Sequence, residues 1–232
     1  MSGQQVTIGG PDGSFAAYLA SSAAGRGPGI VVIQEIFGVN AVMRAVADEF
    51  AASGFFALVP DLFWRLEPGV ELTDRTDAEW QRAFALMNRF DAALGVTDIQ
   101  ATIDHLRTVS GCTGKVGAVG YCLGGLLAYL TAARTDSDAT VGYYGVNIQA
   151  FLGEATAIEK PLMLHLAGKD EFMPPPAQKE IAEGLAAHPL VTLHHYPEMN
   201  HAFARPGGKH YDQANAGLAN SRTATFFRRY LS

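Results

Sequence analysis

The chain has 232 residues, with 17 Lys+Arg against 23 Asp+Glu for a formal charge of −6, and it is 48% hydrophobic but only 17% charged. That composition excludes a charge-dominated disordered chain and a G-X-Y fibre, and an acid excess without any basic run argues against sequence-independent nucleic-acid binding. The first ten residues have no leader pattern, and no segment approaches the roughly 18 unbroken apolar residues of a membrane span. The expectation is a cytoplasmic, monomeric, single-domain protein over residues 1–232.

Val6 to Ile8 and Phe15 to Leu19 flank the turn signal Gly10-Pro11-Asp12-Gly13 and read as an opening hairpin at a sheet edge. Ile30 to Ile33 is a continuous apolar run, the mark of a strand covered on both faces. Asn40 is an N-cap for a helix through Val42, Val46 and Phe50, which Gly54 ends. Phe55 to Val59 is the next strand. After turn formers from Leu66 to Thr76, Ala78 to Phe90 and Val96 to Leu106 read as two helices broken near Gly95.

Lys115 to Gly120 is a strand that runs at once into a helix through Leu126, Tyr129 and Leu130. Strands at Val141 to Tyr144, Leu162 to Leu166 and Val191 to Tyr196 alternate with a helix from Gln178 to Ala187, and Ala214 to Tyr230 closes the chain as a helix. Repeated β-α-β order with apolar strands gives the α/β class: a mostly parallel central sheet with helices on both faces.

The sharpest motif is Gly120-Tyr121-Cys122-Leu123-Gly124-Gly125 at a strand-to-helix junction. Its form, G-x-C-x-G, is the cysteine version of a nucleophile elbow, whose glycines admit a turn too tight for side chains. The start of the following helix offers N–H groups and a positive dipole end to an anionic sulfur or an oxyanion. The competing reading of Cys122 is a buried core thiol. Cys112, in a polar turn, reads as structural.

Asp170 follows the strand Leu162 to Leu166, and His201 follows the strand Val191 to Tyr196. The order Cys122, Asp170, His201 is nucleophile, acid, base, which an α/β-hydrolase sheet gathers at the carboxyl ends of its strands. His201 would take the thiol proton while Asp170 fixes the ring tautomer. Taken singly, Asp170 is a turn acid and His201 a loop histidine. A metal site at His194, His195 and His201 is disfavoured, because adjacent strand residues point to opposite faces. Neither metal nor cofactor is expected.

Gln34-Glu35-Ile36-Phe37-Gly38-Val39-Asn40, the cysteine elbow, Val141-Gly142-Tyr143-Tyr144-Gly145-Val146 and His201-Ala202-Phe203-Ala204-Arg205 together resemble the dienelactone hydrolase (carboxymethylenebutenolidase) family of α/β-hydrolases. The resemblance covers essentially the whole chain. It implies hydrolysis of the enol lactone of a carboxymethylene butenolide to maleylacetate, a step in the catabolism of aromatic compounds. By motif match Cys122 is the nucleophile, His201 the base, Asp170 its partner and Glu35 the carboxylate displaced when substrate binds. Ile36 and Leu123 N–H groups make the oxyanion hole, Arg205 clamps the substrate carboxylate with a second arginine from among Arg75, Arg82 and Arg89, of which Arg82 is taken, and Phe37 and Tyr144 line the substrate. The partner is a small anionic lactone or ester, with no nucleic acid and no membrane. An enolate leaving group suits a thiolate, and an anionic substrate on a net-negative protein requires a local cation. Rival readings are a broader cysteine esterase or thioesterase, and a non-catalytic thiol-sensing module.

Overall fold

The computed structural model describes residues 3–232. They fall into two compact units, 1–118 and 119–232, each of which is taken by itself.

In the first unit, β1 (Gln4–Gly10) and β2 (Gly13–Ala20) form the expected antiparallel hairpin. β3 (Gly27–Ile33) pairs in parallel with β4 (Phe56–Pro60), which pairs antiparallel with β2. Every β3 residue except Pro28 is buried, as a strand with both faces covered requires. α1 (Ala41–Ala52) starts where Asn40 predicts, with its side chain accepting from the Met43 N–H at 3.1 Å. It packs on β2, β3 and β4, and α3 (Ala92–Thr108) packs on β1, β3 and β4.

One boundary moves. α2 is Asp77–Met87, and the break that follows it lies at Asn88 to Asp91 rather than near Gly95. Asp91 caps α3 by accepting from the Ala93 and Leu94 N–H groups, so Gly95 lies in the helix's first turns, buried. A side-chain cap sets a helix start more strongly than an interior glycine ends one. Cys112 also differs from expectation, since it opens β5 (Cys112–Tyr121) instead of lying in a turn. Strand order in this unit is β1-β2-β4-β3-β5.

β5 runs on into the second unit, where the order is β5-β6-β7-β8. β6 (Ala139–Tyr143), β7 (Leu162–Ala167) and β8 (Val191–Tyr196) are parallel. β6 and β7 are buried throughout, whereas β8 is an edge strand with only Tyr196 buried. α4 (Leu123–Arg134) packs on β6 and β7 and is buried over ten of its twelve residues. Its interior position explains why its sequence is apolar all round. α5 (Pro175–Leu185) packs on a 3₁₀ segment, Ile148–Ala157, that the sequence reading did not contain. α6 (Gln213–Leu231) packs on β6. Among the described residues no helix is long and apolar enough to cross a membrane.

Candidate active site

The turn between β5 and α4 is as tight as its glycines imply. Cys122 has φ 58° and ψ −115°, a left-handed conformation that costs a residue with a side chain about 1–3 kcal/mol. Its N–H donates to the Tyr143 carbonyl at 3.1 Å, and its own carbonyl accepts from Gly125 N–H at 2.9 Å and Leu126 N–H at 3.3 Å. Those bonds fold the helix head back over the strand. A Cβ on Gly120 would lie 1.8 Å from the Gly124 carbonyl oxygen, and one on Gly125 would lie 2.6 Å from the Tyr143 oxygen. No side chain fits at either place. Cys122 provides no side-chain cap. With Gly125 and Leu126 already turned to its carbonyl, the N–H groups of Leu123 and Gly124 stand at the positive end of α4, an arrangement able to hold an oxyanion.

β7 leads into Asp170, and β8 leads through residues 197–200 into His201. Asp170 Oδ2 is 2.8 Å from His201 Nδ1, and Asp170 Oδ1 accepts from the Phe172 N–H at 2.9 Å, so both carboxylate oxygens are oriented. Both residues are buried, at 5% and 3% exposure. Asp170 makes the turn bond of its single-residue reading as well as the bond to the imidazole, and His201 is buried rather than at the surface. Burial alone would push the His201 imidazole down, but the charge and side chain of Cys122 and the carboxylate of Asp170 outweigh it and carry it from 6.5 up to about 10. The resting ring is therefore an imidazolium. Nδ1 is taken by Asp170, which leaves Nε2 as the edge on which Cys122 acts. Nε2 is buried and has no hydrogen-bond partner among the described residues. Tyr144 and Phe172 meet the ring edge to face, with centroids 5.1 and 4.9 Å away.

The second unit thus brings Cys122, Leu123, Tyr144, Asp170 and His201 together. Tyr144 is buried at φ 38°, its N–H bonded to the His165 carbonyl at 2.8 Å. Arg205 is buried at 7% exposure, not the solvated loop arginine its context would give. In the first unit Glu35, Ile36 and Phe37 are all buried just beyond β3. The Glu35 carbonyl accepts from Gln34 Nε2 at 3.4 Å, and the Phe37 ring stands edge-on to Trp80 at 5.0 Å. Arg82 lies on an exposed face of α2 in an ion pair with Glu67. Phe172 was missed in the sequence, although its place two residues after Asp170 could have flagged it. His194 stacks on buried His165 at 5.6 Å while His195 is exposed. Among the described residues no three His, Cys, Asp or Glu side chains are grouped as metal ligands.

The family profile of the dienelactone hydrolases matches residues 15–231. The chain is 50% identical over 224 residues, 96% of each sequence, to a protein of Azospirillum brasilense provisionally named carboxymethylenebutenolidase. It is 41% identical over 213 residues, 92% of this chain and 90% of the other, to the carboxymethylenebutenolidase of Pseudomonas putida. In fold it resembles the crystal structure of a Klebsiella pneumoniae protein provisionally named dienelactone hydrolase, with a TM-score of 0.86 at 24% identity over 98% of both chains.

Proposed function

The chain belongs to the dienelactone hydrolase family, and from that premise we propose that it is a carboxymethylenebutenolidase-type hydrolase, opening an anionic enol lactone to maleylacetate through a thioester on Cys122. The observation that carries this reading is the Asp170–His201 pair at 2.8 Å, its imidazolium sustained by a cysteine set at the uncapped head of α4.

The Cys122 sulfur attacks the lactone carbonyl carbon, and the oxygen that becomes negative is met by the Leu123 N–H. Attack forms the C–S bond, and collapse of the adduct re-forms the carbonyl, breaks the ring C–O bond and releases an enolate, which takes the Nε2 proton of the His201 imidazolium and becomes a ketone, leaving the ring neutral. His201 then removes a proton from water, whose oxygen attacks the thioester carbonyl and expels the sulfur. Asp170 keeps the proton on Nδ1 throughout, so Nε2 is the working edge. Arg205 offers the cation that an anionic substrate needs on a chain of net charge −6, and Tyr144 borders the acyl group. Residues of the first unit take their roles from the family resemblance: Glu35 as the displaced carboxylate, Ile36 as a second oxyanion donor, Phe37 and Arg82 as substrate contacts. The family match across both units supports reading 1–232 as one domain.

Turnover of dienelactone with mass-spectrometric detection of an acyl group on Cys122 tests the proposal. Full activity in a folded Cys122→Ala variant overturns covalent catalysis. Arg205→Ala should hurt the anionic lactone far more than a neutral aryl ester, and equal losses would count against the clamp.

A further inference from the structure

Behind the catalytic pair lies a second group of buried polar side chains that the mechanism does not use. His165, on β7, is fully buried. Its Nδ1 is 2.9 Å from the Tyr196 hydroxyl and its Nε2 is 3.0 Å from Thr223 Oγ1, which is 2.6 Å from the Tyr143 hydroxyl. The Tyr143 hydroxyl donates to Asn220 Oδ1 at 3.1 Å, and Arg222 donates to the Tyr196 hydroxyl at 3.1 Å.

One proton assignment satisfies every atom. Tyr143 gives its proton to Asn220, so it accepts from Thr223, which therefore accepts from His165 Nε2–H. Nδ1 is then an acceptor, filled by the Tyr196 O–H, whose oxygen also accepts from Arg222. The ring must be neutral for this to hold. Burial, reinforced by His194 and Arg222, holds His165 well below 6.5.

The two residues joined at Nδ1 also hold the catalytic loops through their backbones. The Tyr196 carbonyl accepts from Gly168 N–H at 2.8 Å and Met199 N–H at 3.1 Å, each two residues before Asp170 and His201 respectively. The His165 carbonyl holds the N–H of Tyr144, whose ring abuts His201. The Tyr196 ring packs on Phe203 at 4.7 Å, and Phe203 packs on Tyr144 at 5.7 Å. We propose that Tyr196 and His165 are positioning residues for the triad, their single hydroxyl–imidazole bond fixing the register of the loops that carry Asp170, His201 and Tyr144. This rests on the triad assigned above.

Tyr196→Phe removes one hydroxyl and keeps the ring. Expected are a kcat roughly tenfold lower with KM within about twofold, the signature of small misplacement. The low-field proton resonance of His201 Nδ1–H should broaden through faster exchange with water. Arg222→Met, at the partly exposed end of the chain of bonds, should move both readouts the same way by less, and it supplies the measurement if Tyr196→Phe does not fold. Parental kcat with an unchanged resonance overturns the proposal, as does a kcat loss that merely tracks the folded fraction. If Cys122→Ala or His201→Ala still turns over, the triad itself has failed. If both are inactive while Tyr196→Phe behaves as the parent, only the positioning role has failed.

Discussion

The heads of α2 and α4 solve the same problem in opposite ways. At α2 the Thr76 hydroxyl accepts from the free Glu79 N–H at 3.3 Å, while the Glu79 carboxylate takes the N–H and hydroxyl of Thr73 just before the helix, so the start is tied down locally. At α4 the N-cap is Cys122, strained, buried and without a side-chain cap. A stability-driven sequence would put Ser, Asp or Gly there. Without a side-chain cap, the Leu123 and Gly124 N–H groups are left for the oxyanion role proposed above. Asn40, Asp91 and Asp212 cap α1, α3 and α6 as Thr76 does, and α5, also without a side-chain cap, begins on Pro175 and Pro176, which have no N–H to satisfy.

The contrast is broken most severely at Cys122. Cys122→Ala should lower kcat by at least about 10⁴-fold with an unchanged circular dichroism spectrum. Cys122→Gly should be equally inactive yet more stable than Cys122→Ala by about 1 kcal/mol in chemical denaturation, because glycine tolerates the backbone that alanine does not. Equal stabilities would mean that the elbow stores no strain. Asp170→Asn comes next. An amide in place of the carboxylate favours the wrong imidazole tautomer, and kcat should fall by about 10³–10⁴-fold with little change in KM.

Gly125→Ala tests the packing that permits the uncapped head. Its Cβ would strike backbone atoms of the β6 end, which cannot rotate away, so a loss of about 3 kcal/mol or more is expected in urea denaturation. At the capped head of α3 a Cβ on Gly95 would meet the Phe90 ring at 2.4 Å, a side chain and not backbone, so the comparable loss there should be smaller.

The electrostatic side of α4 appears in the pH dependence of stability. The folded His201 titrates near 10 and the unfolded one near 6.5. Below pH 6.5 both states carry the proton, and the stabilisation is fully present. Between 6.5 and 10 the unfolded chain sheds the proton that the folded chain keeps, so the stabilisation declines and is gone above 10. Tm should fall across that window more steeply in the parent than in His201→Gln, and identical slopes would remove the imidazolium from the resting state.

Much of this was legible in the sequence because it is local. Gly-x-Cys-x-Gly at a strand end dictates the elbow, and Asn40 three residues before Met43 dictates a cap. The order of Cys122, Asp170 and His201, each behind its own apolar strand, predicted that β7 and β8 deliver a pair, and the 2.8 Å contact fits that order. What stayed hidden depends on register. That Tyr196 meets His165 requires β7 and β8 to align with Ala167 opposite Tyr196, and α6 to bring Thr223 beneath them. No spacing along one chain encodes a partner 58 residues away. The helix break went to Asp91 for the same reason that Thr76 matters at α2: cap chemistry acts on specific N–H groups, whereas a glycine only lowers a propensity.

The smallest effect lies at the capped end of the comparison. Thr76→Ala removes the acceptor for Glu79 N–H and one of the hydroxyls that hold the Glu79 carboxylate. The Thr73 contacts remain, so α2 frays rather than unravels, and the cost should be about 1 kcal/mol. The lost donor partner is solvent-exposed and water replaces part of the bond, which keeps the value low. Thr76→Ser, which retains the hydroxyl, should restore most of it, and kcat on a neutral ester should be unchanged in both. If Thr76→Ala instead leaves stability untouched while impairing turnover, the head of α2 serves the site as the head of α4 does, and the division between stabilising and functional helix starts fails.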